Sequence, residues 1–296
     1  MNIDSIHKGT SINRLARVFG YSRSSYYHCK YYRKKDNTRK AQIVKTMIKI
    51  YNNSYGTYGS PRLTLALRKE GYIVARRTIQ NYMRELNIQS VVHKKFRYKK
   101  SNFKDYAYLR LKNIAKDTDV NDVNQVWTQD VTYIKLNDGT NAYLASVIDY
   151  YSRKVISYEL SKSMATDLIL RVLDRAYRMR KPKHGLILHS DKGAQYRSDK
   201  YKDFAYRHKA VCSYTRIVFS CADNAGQESF HASLKKECLY QFKPQSFDDT
   251  KKIIFRYIDG FYNVRRLHST IGYKSPDEFE RELKEKKKLE KLKKSD

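Results

Sequence analysis

From residue 126 onward the hydrophobic pattern switches between two periods, and that switching constrains the fold more than any other feature. VWTQDVTYIKL (126–136), NAYLASVIDYYSRKVISYEL (141–160) and LILHSD (186–191) are runs rich in β-branched and aromatic residues. Between the last two, TDLILRVLDRAYRMR (166–180) sets Ile169, Val172, Leu173, Ala176 and Tyr177 at helical spacing. Three strands as a meander, a crossover helix and a further parallel strand predict an α/β sheet with helices packed on it. Two carboxylates sit oddly in this pattern. Asp130 interrupts the first strand in an apolar and hydroxylic run, where a lone charge is costly unless it faces solvent, a partner or a metal. Asp191 ends the last strand just before a glycine, where it is either a turn former or a ligand held at a strand's edge.

Upstream the pattern is helical. In SINRLARVFGYSRSSYY (11–27), Ile12, Leu15, Ala16 and Phe19 form one face, Gly20 can stop the helix and Ser22 can cap the next. In YGSPRLTLALRKEGYIVARRTIQNYMREL (58–86), Pro61 suits a helix start, Leu63, Ala66 and Leu67 share a face, and Gly71 ends it. Thr78 is the expected cap of a second helix with Ile79, Tyr82, Met83 and Leu86 inside, flanked by Arg76, Arg77 and Arg84. Both units read as helix-turn-helix segments (1–54 and 55–95). A basic linker without periodicity follows (96–123), then the α/β region (124–280) and a charged tail (281–296).

Charge indicates the partner. The chain has 61 Lys and Arg against 30 Asp and Glu, a net charge of +31, and 27 of the basic but only 8 of the acidic residues lie in positions 1–123. Such a surplus favours a polyanion, so the helical units are expected to grip nucleic acid, mostly by phosphate contacts. Cys29, Cys212, Cys221 and Cys238 form no CxxC pair and no zinc spacing with the eight histidines, which fits a reducing compartment. No run has the length of a membrane span and the start lacks a signal-peptide core, so a soluble, cytoplasmic protein is expected.

A third carboxylate, Glu228, lies in ADNAGQESFHASLKKE (222–237), where Asp223 can cap a helix. On a helical wheel Glu228, His231, Ala232 and Lys235 fall on one side and Phe230 and Leu234 on the other. Asp149, in VIDYYSR beside Arg153, reads as a turn or ion-pair residue rather than a ligand.

YGSPRL, RRTIQNYMRELNI, WTQDVTYI, VIDYYSRKVISYEL, HSDKGAQY, DNAGQESFHASLKKE and FYNVRRLHSTIGYKSPDEF together resemble the second-frame (OrfB) transposases of bacterial insertion sequences, whose core is similar to retroviral integrase. The resemblance spans nearly the whole chain. It implies a ribonuclease H-like catalytic core, a mixed sheet with flanking helices, preceded by the helix-turn-helix segments. It further implies metal-dependent DNA cleavage and strand transfer at the element's ends. The family's Asp, Asp and Glu match Asp130, Asp191 and Glu228, and its basic residue seven positions later matches Lys235. Two Mg²⁺ ions are implied as cofactors, with Mn²⁺ expected to substitute, since hard cations suit three carboxylates.

The implied partners are double-stranded DNA at the element's ends and target, further copies of the chain on DNA, and an upstream-frame (OrfA) protein. Gln195 and Tyr196 are expected to border DNA, and Arg265, Arg266 and His268 are weighed between DNA contact and structural ion pairing. One departure is the segment TRIVFSC (215–221), which lacks the glycine-containing turn usual before Asp-Asn-Ala. Two other readings use the same residues: a nuclease that cuts without joining, and a catalytically decayed copy that only binds DNA.

Overall fold

The computed structural model of the chain describes residues 11–18, 20, 22–92, 112–136, 139–215 and 224–293. It divides into two compact units, Met1–Gln89 and Ser90–Asp296.

The first unit is helical. After α1 (Ile12–Val18), Gly20 takes the left-handed conformation (φ 70°) and Ser22 caps α2 (Arg23–Asn53), its hydroxyl accepting from the Ser25 N–H at 3.0 Å. The second helix runs unbroken to Asn53, so the C-terminal half of α2 supplies the packing partner of α3 (Ser60–Lys69), on which α4 (Arg76–Glu85) packs in turn. Ile43 and Met47 of α2, Leu63 and Leu67 of α3, and Ile79 and Met83 of α4 are all buried. Full burial of each such side chain stabilises by about 1.5–3 kcal/mol, against which the ordering entropy is set. Two expectations need correction. The last helix begins at Arg76 with Ala75 at its cap, so Thr78 lies within its first turn, and Leu86 is 38% exposed beyond its end.

The second unit holds a five-stranded sheet in the order β3-β2-β1-β4-β5. Strands β1 (Val126–Lys135), β2 (Asn141–Asp149) and β3 (Val155–Ser161) form the antiparallel meander. Helix α5 (Thr166–Arg180) crosses over to β4 (Ile187–Ser190), which lies parallel to β1. Short α6 (Ala194–Arg197) and α7 (Asp199–Arg207) lead to β5 (Val211–Tyr214), parallel to β4 and too brief to show a period. The described end of the linker region lies along this edge: the Lys112 carbonyl accepts from the Tyr214 N–H at 3.0 Å, and the Ala115 N–H donates to Ser213 Oγ at 3.0 Å.

Helices cover both faces. On one face the expected stripe of α5 joins Trp127, Val147, Leu188, Tyr201 and Phe204 in an apolar core. Against the other lies α8 (Ala225–Leu234), continued by a π-helical turn (Lys235–Leu239); α9 (Phe247–Tyr257) packs on that turn and is itself continued by a second (Ile258–Tyr262). Asn263, just past that turn, clamps β3 with two bonds of 3.0 Å to the Val155 backbone. The chain closes with α10 (Pro276–Leu292), started by a Ser275–Glu278 capping box.

Asp149 is a turn residue, as its sequence context implied. Fully buried, its carboxylate accepts from the N–H groups of Asn124, Tyr151 and Ser152 at 2.7–3.0 Å and ties the β2–β3 turn to the entry of β1.

Candidate active site

Period-two alternation along β1 divides its side chains between the two layers. Trp127 and Gln129 point toward α5 and α7, with Gln129 Nε2 donating to the Tyr201 hydroxyl at 2.9 Å. Asp130 therefore faces the other way, opposite Ser146 of β2, where α8 packs. There a polar clamp fixes it. His231 Nδ1 stands 3.3 Å from Asp130 Oδ2, and its Nε2 stands 3.2 Å from Ser146 Oγ. Ser146 Oγ donates to Gln227 Oε1 at 3.0 Å, and Gln227 Nε2 donates to the carbonyls of Thr128 at 2.7 Å and Ser146 at 3.3 Å. Helix α8 is thus fastened by side-chain bonds to the backbone flanking Asp130. His231 is buried, although the helical wheel set it apart from the Phe230 and Leu234 stripe. Residues 227, 231 and 234 continue the stripe of Phe230, and this spacing was the available signal for both Gln227 and His231.

Asp191 follows the last residue of β4 and accepts the Gly193 N–H at 2.9 Å through Oδ1. A Cβ at Gly193 would stand 2.9 Å from that oxygen and 3.2 Å from Gln195 Oε1, so any side chain there would have to push these two side chains aside. Asp191 keeps access to solvent, yet partial desolvation by its neighbours raises its carboxyl above the usual range; the Gly193 N–H opposes this and the Asp130 charge adds to it. Glu228, half-buried on α8, is raised by burial and by Asp130 and lowered by His231. The Asp130 charge thus acts on both of the other carboxylates. Among the described residues no three His, Cys, Asp or Glu side chains are drawn together closely enough to hold an ion as they stand. The segment 216–223 that leads into α8, including Asp223 and most of the departure at 215–221, lies outside the described residues.

Family models described as "Integrase core domain" match residues 120–221 and 228–283, and one described as "HTH-like domain" matches 38–96. The chain is 32% identical to the putative transposase InsK for insertion sequence element IS150 of Escherichia coli K12, covering 90% of this chain and 93% of that protein. It is equally 32% identical to transposase InsF for insertion sequence IS3A of the same organism, covering 91% and 94%. The chain belongs to the insertion-sequence transposase family. A 31 kDa protein of insertion element IS600 from Shigella sonnei matches at 32% identity over 90% of this chain and 97% of that one. Among solved structures, the HTLV-2 integrase catalytic core in complex with magnesium aligns at 16% identity and a TM-score of 0.41, covering 53% and 96%. A score that low leaves the family assignment with the sequence relatives and family models.

The transposase distributes its other expected DNA contacts unevenly. Arg76, Arg77 and Arg84 are exposed on α4, and Arg265 is exposed after the second π-helical turn. Gln195 is half-buried. Tyr196 and Arg266 require correction. Tyr196 is 3% exposed and packs edge-on to Tyr201 at 5.6 Å, so its ring fills the core rather than bordering DNA. Arg266, 7% exposed, is committed to a buried cluster: Nε and Nη2 donate to Glu237 at 2.8 and 2.7 Å, and Nη2 donates to Ser233 Oγ at 3.0 Å. The Tyr257 hydroxyl donates to the same carboxylate at 2.8 Å. His268 is buried beside it.

Lys235 opens the π-helical turn two helical turns beyond Glu228, with Nζ 4.8 Å from the Tyr133 ring centroid. Burial lowers the pKa of its ammonium and the Asp130 charge opposes that, which puts it in the field of the carboxylates.

Proposed function

We propose that Asp130, Asp191 and Glu228 are the catalytic residues of this transposase and together hold divalent cations during cleavage and strand transfer. The carrying observation is the coupling of Asp130 to the other two carboxylates. Partial desolvation and mutual repulsion raise two of the three, a conflict that a hard dication relieves, and a set of oxygen-only donors suits Mg²⁺ or Mn²⁺. A pair of such ions supplies activation of an attacking water or 3′-hydroxyl and stabilisation of the leaving oxygen in an in-line phosphodiester displacement.

The protein's own part is positioning. The His231–Ser146–Gln227 clamp holds Asp130, the Gly193 amide holds one oxygen of Asp191, and α8 carries Glu228 on the face of β1 that Asp130 occupies. Lys235 neutralises a DNA phosphate near the scissile bond without competing for metal. Exposed Arg76, Arg77 and Arg84 grip the element's ends through backbone phosphates, and Arg265 adds a further contact. Two copies or more bring two ends together, and an upstream-frame protein adds its own DNA-binding segment.

Asp191→Asn tests the assignment. Joining of a 3′-hydroxyl end to a second duplex in Mg²⁺ should fall more than about a thousandfold, while binding to duplex DNA persists. Because the carboxyl's pKa is raised in the folded state, its ionised form weighs against folding near neutral pH, and stability should rise as pH falls through that pKa. Removing the charge should therefore raise Tm in metal-free buffer and abolish the further rise that Mg²⁺ gives the unaltered protein. Near-normal joining by this variant would refute the assignment.

A further inference from the structure

Beyond the carboxylates, the end of β1 and the π-helical turn border a cleft of about 470 Å³, of which the proposed chemistry uses only Lys235. Tyr133 and Lys135 line it from the strand, Lys235 from the turn, and Tyr240, Lys243 and Pro244 from the segment that follows. Its composition is unusual for a surface hollow. Three lysines and no carboxylate line it, and the two tyrosines remain 64% and 58% exposed. Large aromatic rings left open to water between ammonium groups match what unpaired bases require. A base offers a flat face to stack on, and its phosphate offers a negative charge to pair. A base inside a duplex is already stacked on both sides and has no face to give.

We propose that this cleft receives unpaired nucleotides of the DNA strand adjoining the scissile phosphate, stacking them on Tyr133 and Tyr240. The inference rests on the assignment of Asp130 to the catalytic centre. Tyr133 lies three residues along the same strand, roughly 10 Å at about 3.4 Å per residue; that odd spacing turns its side chain from the Asp130 face, and the ring meets Lys235 around the edge of β1 that no longer pairs with β4 beyond Thr128. Lys235 joins the two places, since its ammonium rests over the Tyr133 ring while feeling the Asp130 charge. A strand leaving the carboxylates along β1 would pass this lysine and enter the cleft. The occupant is thus frayed or single-stranded DNA next to a cut end.

The full-length protein can be tested in EDTA, so that binding is read apart from chemistry. The probes are a blunt 30-base-pair duplex and the same duplex with a five-nucleotide single-stranded extension carrying 2-aminopurine at its third position. The extended probe should bind about tenfold tighter, and its fluorescence should change on binding. Tyr240→Ala and Tyr133→Ala should each erase most of that preference and the fluorescence change while leaving affinity for the blunt duplex within about twofold. Tyr240→Phe, which keeps the ring, should retain both. Equal affinity for the two probes, or an Ala variant that keeps the preference, would overturn the proposal. An Ala variant that loses blunt and extended binding alike would also overturn it, because the rings would then serve duplex binding or the fold. Failure of the catalytic assignment reads differently, as joining that survives Asp130→Asn while the extension preference stands.

Discussion

The two faces of the catalytic sheet are closed by different chemistry. Against α5 and α7 the contacts are apolar: Trp127, Ile169, Val172, Leu173, Leu188 and Phe204 interlock with little polar content. On the α8 and α9 side the buried set includes Gln227, Ser146, His231, Glu237 and Arg266, bonded to one another or to backbone. An apolar face tolerates loss of a side chain in proportion to the cavity left. A polar face fails through the partner left behind, because an unpaired buried charge or amide cannot recover its hydration. The polar face also carries Asp130 and Glu228, so the less forgiving packing lies where the geometry must be held.

The largest expected difference in stability lies at Arg266. Arg266→Ala strands Glu237 in a buried site and should cost about 3–5 kcal/mol in urea unfolding. On the apolar face, Leu173→Ala should cost about 3 kcal/mol through its cavity. The two losses separate under a second change. Pairing Arg266→Met with Glu237→Leu should recover most of the stability, whereas no further truncation beside Leu173 should restore it. A double variant as unstable as Arg266→Ala alone would remove the stranded charge as the cause and dissolve the distinction between the faces.

This difference also explains what the sequence could and could not reveal. The α5 stripe, the strand runs and the placing of Asp191 at a strand end were legible because apolar periodicity and a glycine stop each have one simple structural meaning. Ser22, Gly20 and Gly71 marked their helix ends for the same reason. The polar face defeats that approach. His231 and Arg266 are polar types that a helical wheel or a charge count assigns to solvent or DNA, and only their three-dimensional partners, Ser146 and Glu237, make burial affordable. Tyr196 misled in the same way, since its position beside Asp191 says nothing about which way the ring turns. Strand β5, four residues with no alternation, exists because β4 offers it an edge to pair with. The three carboxylates were found through family resemblance combined with residue type, and neither composition nor spacing alone would have joined Glu228 to the two aspartates.

A smaller effect on stability should come with a larger one on rate at Gln227. Its amide makes two donor bonds to backbone carbonyls and accepts from Ser146, so Gln227→Ala should cost about 1–3 kcal/mol. If the clamp positions Asp130, the single-turnover joining rate of the folded fraction should fall at least tenfold, since small misplacements of catalytic groups are expensive. Gln227→Met, which refills the volume without the bonds, should regain part of the stability and none of the rate. Recovery of rate with volume alone would make this polar face a packing device like its apolar counterpart.

The smallest effect should come from the end of α10, which tests where the polar face stops mattering. Its first turn is bound to the core: Asp277 pairs with Lys154 at 2.6 Å, Glu280 with Arg180 at 2.8 Å, and Phe279 packs edge-on to Tyr151 at 5.4 Å. Glu280 also accepts the Ser152 hydroxyl at 2.6 Å, next to the turn that Asp149 organises. Beyond residue 280 the helix meets other elements through the exposed pairs Lys274–Glu282 and Lys287–Asp122, each worth less than about 1 kcal/mol. Removing residues 281–296 should therefore lower Tm by only a few degrees, at about 2–4 °C per kcal/mol, and leave joining within about twofold. Glu280→Ala in the full-length protein should cost more than the whole deletion, because it leaves Arg180 and Ser152 without their partner in a half-buried site. If the deletion proved the more damaging, solvent-exposed ion pairs would be contributing more than buried ones, and the contrast between polar contacts inside and outside the core would have to be redrawn.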